Sequence, residues 1–354
     1  MLRAGARHPD AGPSTSSDAM DMEQVYATLN EYLQMEHKFQ PNLCLPNESE
    51  NGEVTTGARD GAAHVIRCLK VWYDLPADVP IDAISLLDRF LTKMKVRPCH
   101  VPCITVACMN IAIEQYAQNN KEARKVSIEE LVSISQSACT ARDVARMSRV
   151  VVDKLALASG ARGVTALHWL RLVRALLAPH CPKDQLPPES ELVNLLEIVV
   201  CDAECVNARV PELALVLLYH KLEQQLVETS RQTGAPLPEQ AYQLFEVGAQ
   251  LQQYCHMSDA SLVATRSRVR HVLARYEARA AAPQRQRLVW RLSERTLKVL
   301  RPTDRLTSLL PTIEEQHFAV EATPTRNRSG SECSVSEETS DWPRSPVLPV
   351  YCDN

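Results

Sequence analysis

The chain is expected to fold as an all-α protein, and three observations predict it. Apolar residues recur at three- and four-residue spacing through most of residues 18–280, the period of a helix with one buried face. Glycine is scarce, 10 of 354 residues, while Leu, Ala, Glu and Arg are abundant, which favours helices over glycine-rich loops. Two prolines, Pro102 and Pro211, each open a stretch that is apolar on nearly every side, as a helix surrounded by others must be.

Taken in order, residues 1–17 contain Pro, Ser and Gly without periodicity and are expected to be disordered. Met22, Val25, Tyr26, Leu29, Tyr32 and Leu33 form the stripe of an amphipathic helix over 18–39 that must dock on something. A polar linker, 40–57, follows with two prolines and Asn-Gly. Helices are then predicted over 58–73, 81–95, 102–119, 127–137 and 141–157, with DLPADVP as a loop before the second and Thr140 as N-cap of the fifth. After LASGARG the scheme repeats, with helices near 165–178, 188–207, 211–229, 238–255 and 258–280. Residues 58–158 and 159–281 are thus read as two five-helix units, 282–316 as a basic segment ending in a linear motif, and 317–354 as an acidic, Ser/Thr/Pro-containing tail expected to be disordered.

Bulk properties exclude several classes of function. A net charge of −4 commits the whole chain neither to nucleic acid nor to membrane, so any basic patch is local. Twelve scattered cysteines, several on apolar faces (Cys68, Cys108, Cys201, Cys205), read as reduced small hydrophobes. No apolar run has signal-peptide or membrane-span length, and a soluble protein of nucleus and cytoplasm is expected. No phosphate-binding loop, His-Glu-x-x-His or Gly-x-Ser-x-Gly is present, so no catalytic residue, cofactor or enzyme activity is assigned. Cys99, His100, Cys103, His180 and Cys181 lack the paired short spacings of a zinc site, and no metal is assigned to them.

The chain is organised around SLLDRFLTKMKV, residues 85–96. Leu86, Leu87, Phe90, Leu91 and Met94 form the apolar face, and Asp88 and Arg89 sit within its register, where an ionised side chain is tolerated only with a partner. Arg59 is the candidate partner of Asp88. These residues resemble the cyclin box, in which a D-R-F helix packs under a first helix whose Arg pairs with the Asp; Arg59, Asp88, Arg89 and Phe90 fall on those positions without a gap. Four separated pieces, LNEYLQMEHKFQP (29–41), LLDRFLTKMKV (86–96), ISQSACTARDVARM (134–147) and LPTIEE (310–315), carry a resemblance to cyclins of the G type. That resemblance implies a tandem cyclin fold and a non-catalytic regulator of cell-cycle progression that binds a cyclin-dependent kinase.

It also identifies departures. In the family a Lys near the end of the third box helix and a Glu in the fifth clamp the kinase; here Glu114 and Ser148 occupy those positions, so one charge is reversed and the other lost. The first-helix substrate groove needs Met, Leu and Trp, whereas this chain has Ala58, Ala62 and Val65. Leu310, Ile313 and Glu315 resemble the L-x-x-I-x-E motif that docks on regulatory B-prime subunits of protein phosphatase 2A, with Pro311 favouring an extended form. The alternative for that segment is a hydrophobic strap on the second unit. Phosphorylation of Thr312 is expected to strengthen docking by adding negative charge, and Thr323 and Ser345 precede prolines as proline-directed kinase sites do. Residues 266–305 carry twelve Arg or Lys against Glu277, Glu294 and Asp304, which leaves open a cyclin-fold protein that contacts nucleic acid or chromatin proteins.

Overall fold

The computed structural model describes residues 15–49, 52–157, 163–180, 186–233 and 239–281, and every regular element among them is helical. The helices are α1 (Thr15–Phe39), α2 (Thr56–Tyr73), α3 (Asp78–Lys93), α4 (Val101–Asn119), α5 (Ile128–Ser135), α6 (Ala141–Leu155), α7 (Ala166–Leu177), α8 (Glu189–Val199), α9 (Val210–Thr233), α10 (Glu239–Tyr254) and α11 (Asp259–Ala281).

Helices α2 to α6 build the first unit around α4. Pro102 lies in the first turn of α4, where its missing amide hydrogen costs no helical bond, and Ile104 through Ile113 are all buried. Helices α7 to α11 build the second unit, with Leu213 through Leu218 of α9 buried in the same way. The polar ends are closed by side chains. Thr55 accepts from the Ala58 amide at 3.2 Å, while Ser127 with Glu130 and Thr140 with Asp143 form capping boxes at α5 and α6.

The amphipathic α1 docks on the second unit. Leu29 is fully buried in the second core, Tyr32 meets Trp169 edge-on at 5.6 Å, and Arg209 holds Glu36 through two bonds of 2.7 and 2.8 Å. The following linker pins the same unit by a two-way amide bridge. Leu43 N donates to Asn207 Oδ1, and Asn207 Nδ2 donates to Leu43 O, both at 2.7 Å.

Two elements differ from the sequence expectation. Helix α3 starts at Asp78 and takes in part of the DLPADVP segment read as loop. Pro80 is the third helical residue, and the first four amides of a helix have no intrahelical partner, so the proline is tolerated there. The expected helix over 188–207 ends at Val199 and is followed by a short 3-10 turn at Ala203–Cys205. The Asp202 carboxylate accepts from the Glu204 amide at 3.1 Å, a local bond that competes with continued helix, and it is also drawn to Arg275. Cys201 and Cys205 are buried as expected, but beside and in this turn rather than on a helical face.

Candidate functional site

At the contact of the two units Arg59, wholly buried on α2, reaches Asp88 on α3. Its Nε donates to Oδ1 at 2.8 Å and its Nη2 to Oδ2 at 2.6 Å, the parallel fork that a planar guanidinium offers a carboxylate. Nη2 also donates to the Val200 carbonyl at 2.8 Å and Nη1 to Asp60 at 3.2 Å. Burial opposes the charge on Arg59, but Asp88 and Asp60 together outweigh it, and its pKa lies above the usual arginine value. The arginine therefore ties three places together: α2, the D-R-F helix, and the end of α8 in the second unit. Sequence reasoning pointed to the Asp88 partner but missed Val200, because a carbonyl acceptor 141 residues away leaves no mark on composition or spacing.

A second bridge lies beside the first. Glu197 of α8, buried, accepts from Lys70 and faces Arg67 at 3.8 Å, both on α2. A carboxylate in the apolar run LVNLLEIVV was the available signal, since a buried acid requires a cation.

Asp60 sits in the same knot. Burial pushes its pKa up to about 6, with Asp202 adding to the rise, while Arg59 and the Ala203 amide pull it down. Its folded pKa thus exceeds that of the unfolded chain, so the folded state binds the proton more tightly between pH ~4 and ~6. The stabilisation belongs to the protonated acid, is full below pH ~4 and is lost as pH rises through ~6. The Asp60→Asn variant is expected to gain about 2–3 kcal/mol on wild type between pH ~4 and pH ~7, because a tenfold difference in proton affinity between folded and unfolded chains is worth about 1.4 kcal/mol. Urea midpoints of both proteins across that range measure it, and parallel pH profiles would overturn the assignment.

The positions that face the kinase in the resembling family lie on α4 and α6, two helices packed against each other. Glu114 is exposed near the end of α4 and its carboxylate accepts from buried Asn110 at 2.8 Å. Ser148 is half-buried on α6, and its hydroxyl oxygen is shielded from water without a hydrogen-bond partner. Along α2, Ala62 is part of the first core and Ala58 and Val65 pack against it, so these small residues serve packing at the positions where the family's groove would be lined.

Four described arginines or histidines of the basic stretch are engaged by acids. Arg266 and Arg270 pair with Glu223, His271 with Glu204, and Arg275 with Asp202 and Glu204. The charge of these four residues is thus matched in part within the chain. Residues 282–305, the motif residues Leu310, Ile313 and Glu315, and the phosphosites Thr312, Thr323 and Ser345 lie outside the described residues.

The nine cysteines among the described residues are free thiols. Burial pushes Cys201 and Cys205 up to about 12 and Cys255 up to about 11, which keeps them protonated. No cluster of three or more His, Cys, Asp or Glu residues suited to a metal occurs among the described residues, and no described helix is long and apolar enough to cross a membrane.

Two helical units joined through a buried arginine and the aspartate of a D-R-F helix are what the resemblance to the cyclin box implies, and the family is shown by comparison with known proteins. The family model for the cyclin N-terminal domain matches residues 27–158. The chain belongs to the cyclin family. Within it, the chain aligns with cyclin G proteins along most of its length: it is 41% identical over 342 residues to Cyclin G of Drosophila melanogaster, covering 94% of this chain and 58% of that protein. To Cyclin-G2 of Mus musculus it is 29% identical over 322 residues, covering 89% of this chain and 86% of that one. The chain thus spans little more than half the length of the Drosophila relative. A viral cyclin from herpesvirus saimiri aligns in three dimensions at a TM-score of 0.45 and 14% identity, over 63% of this chain and 89% of that one.

Proposed function

We propose that this chain is a non-catalytic regulator of cell-cycle progression, acting in nucleus and cytoplasm as an adaptor between a cyclin-dependent kinase and protein phosphatase 2A. The observation that carries the reading is a cyclin framework combined with altered charges on the surface a kinase would meet. Conventional cyclins restore the Lys–Glu pair that positions ATP by clamping the kinase's mobile helix. With Glu114 and Ser148 in place of Lys and Glu, this surface binds a kinase without a charged clamp and does not activate it in the usual way. The segment Leu310 to Glu315 follows the folded units, and its two aliphatic side chains and terminal carboxylate suit a pocketed, basic groove on a B-prime subunit. Dephosphorylation is thereby placed beside the kinase or its substrates.

Quantitative affinity purification from cells tests both halves at once. The Leu310→Ala, Ile313→Ala variant is expected to lose phosphatase subunits at least tenfold while a cyclin-dependent kinase stays bound. Equal phosphatase recovery with variant and wild type removes the motif from the mechanism, and absence of any such kinase from both removes the kinase arm.

A further inference from the structure

We infer that the cavity between the two units is a binding site for a small oxyanion, a phosphate or carboxylate group, held by Arg89. The sequence places Arg89 in an apolar register beside Asp88, and the two residues meet opposite fates. Asp88 is matched by Arg59, whereas the guanidinium of Arg89, only 7% exposed, has no hydrogen-bond acceptor and no carboxylate within ion-pair distance among the described residues. Among the described residues it lies against the ring of Phe39, 4.7 Å from the guanidinium carbon. Burial lowers its pKa and no acidic group offsets that, yet a guanidinium stays charged at any pH the fold survives. A desolvated cation against an aromatic face is still short of a counter-charge.

The space beside it has the size and chemistry to provide one. A cavity of about 300 Å³ opens against Arg89, with walls from α3, the end of α4 and the first turns of α7. At roughly 30 Å³ for each water in the liquid, it takes a phosphate or a four-carbon dicarboxylate together with several waters. The wall charges leave Arg89 in control. Asp78 is held by Arg171 at 2.6 and 3.1 Å, and Arg171 is held in turn by Glu189 at 2.8 Å. Asp82 is the other carboxylate on the wall and makes no ion pair with Arg89 among the described residues, so the anion is placed against the guanidinium and away from Asp82. Ser85 brings a hydroxyl to the same walls, and Asn120 Nδ2, which donates to the Tyr116 carbonyl at 3.0 Å, keeps a second N–H. Gly163, where the second unit begins, presses close: a Cβ there would stand 3.0 Å from Arg89 Nη1, so this position admits no side chain without displacing the guanidinium.

Arg89 comes from the first unit and Thr165, His168 and Arg171 on the facing wall from the second, so an anion here lies between the two units. Binding therefore stabilises their arrangement by mass action. The proposal does not rest on the kinase or phosphatase reading.

Isothermal titration of the full chain with inorganic phosphate and with succinate, at constant ionic strength kept by sodium chloride, tests it. One site for each chain is expected for at least one of the two ions, with a thermal midpoint that rises on adding that ion. Binding of phosphate alone assigns a phosphate site, and binding of succinate as well assigns a general oxyanion site. Arg89→Met is expected to weaken binding at least tenfold. Ser85→Asp, which leaves Arg89 in place and puts a carboxylate into the cavity, is expected to abolish binding even if Arg89→Met fails to fold. Absence of binding by both ions, or unchanged affinity in Ser85→Asp, overturns the assignment; so does capture of an acidic peptide without either free ion.

Discussion

Replacing Arg59 by alanine is expected to lower the stability of the full chain by about 3–5 kcal/mol, the cost of leaving one member of a buried ion pair uncompensated. The size follows from what is stranded. Asp88, 5% exposed in the intact pair, would lose both of its bonds from Arg59, and the Val200 carbonyl would lose a charged donor. The shape of the site matters as well as its charge. A lysine has one compact ammonium and cannot make the 2.6 and 2.8 Å fork while also reaching Val200, so Arg59→Lys is expected to recover less than half of the loss. The paired change Arg59→Met, Asp88→Leu removes both charges together and is expected to be far milder than either single change, because no unmatched ion is then left desolvated. Urea unfolding gives the stabilities. Hydrogen exchange locates the damage: protection in α2 and at the end of α8 should fall together, since the same guanidinium holds both. A loss under ~1 kcal/mol for Arg59→Ala, or damage confined to α2, would mean that the pair does not hold the units to each other.

How much of this was legible before the structure depends on the kind of signal. Helices were readable because a buried face imposes a period, and α4 and α9 were readable as central because burial on every side erases that period. Boundaries were less so. The start of α3 hides behind a proline that only a first-turn position tolerates, and α8 stops where Asp202 prefers a local amide, a choice that also depends on Arg275 seventy-three residues away. Charged residues in apolar registers were legible as demands for partners, but not as answers. Arg59 and Asp88 answer each other; Glu197 is answered by Lys70; Arg89 is answered by an aromatic ring and a cavity. The docking of α1 was legible as a need, from its stripe, but its seat on Trp169 and Arg209 depends on tertiary geometry alone.

If the proposed function holds, converting Glu114→Lys and Ser148→Glu together is expected to give a chain that activates a cyclin-dependent kinase where wild type does not. The reasoning starts from the two helices. Packed against each other, α4 and α6 fix where the two substituted groups would emerge, and the family's clamp uses a cation from the first and an anion from the second. Glu114 is exposed, so a lysine there meets no steric barrier; it gives up only the bond from Asn110, a loss of about 1 kcal/mol. Ser148 is half-buried with an unpartnered hydroxyl, so a longer carboxylate removes that orphan and reaches toward solvent. Close charge pairs across an interface couple by about 1.5–7 kcal/mol, hence the double variant is expected to bind kinase at least tenfold more tightly. Glu114→Lys alone relieves a repulsion, and Ser148→Glu alone adds an anion to one already present, so only the combination should produce substrate phosphorylation by the purified complex. Wild type and double variant with equal affinity and equal activity, against a panel of cyclin-dependent kinases, would show that charge at these two positions does not control kinase activation.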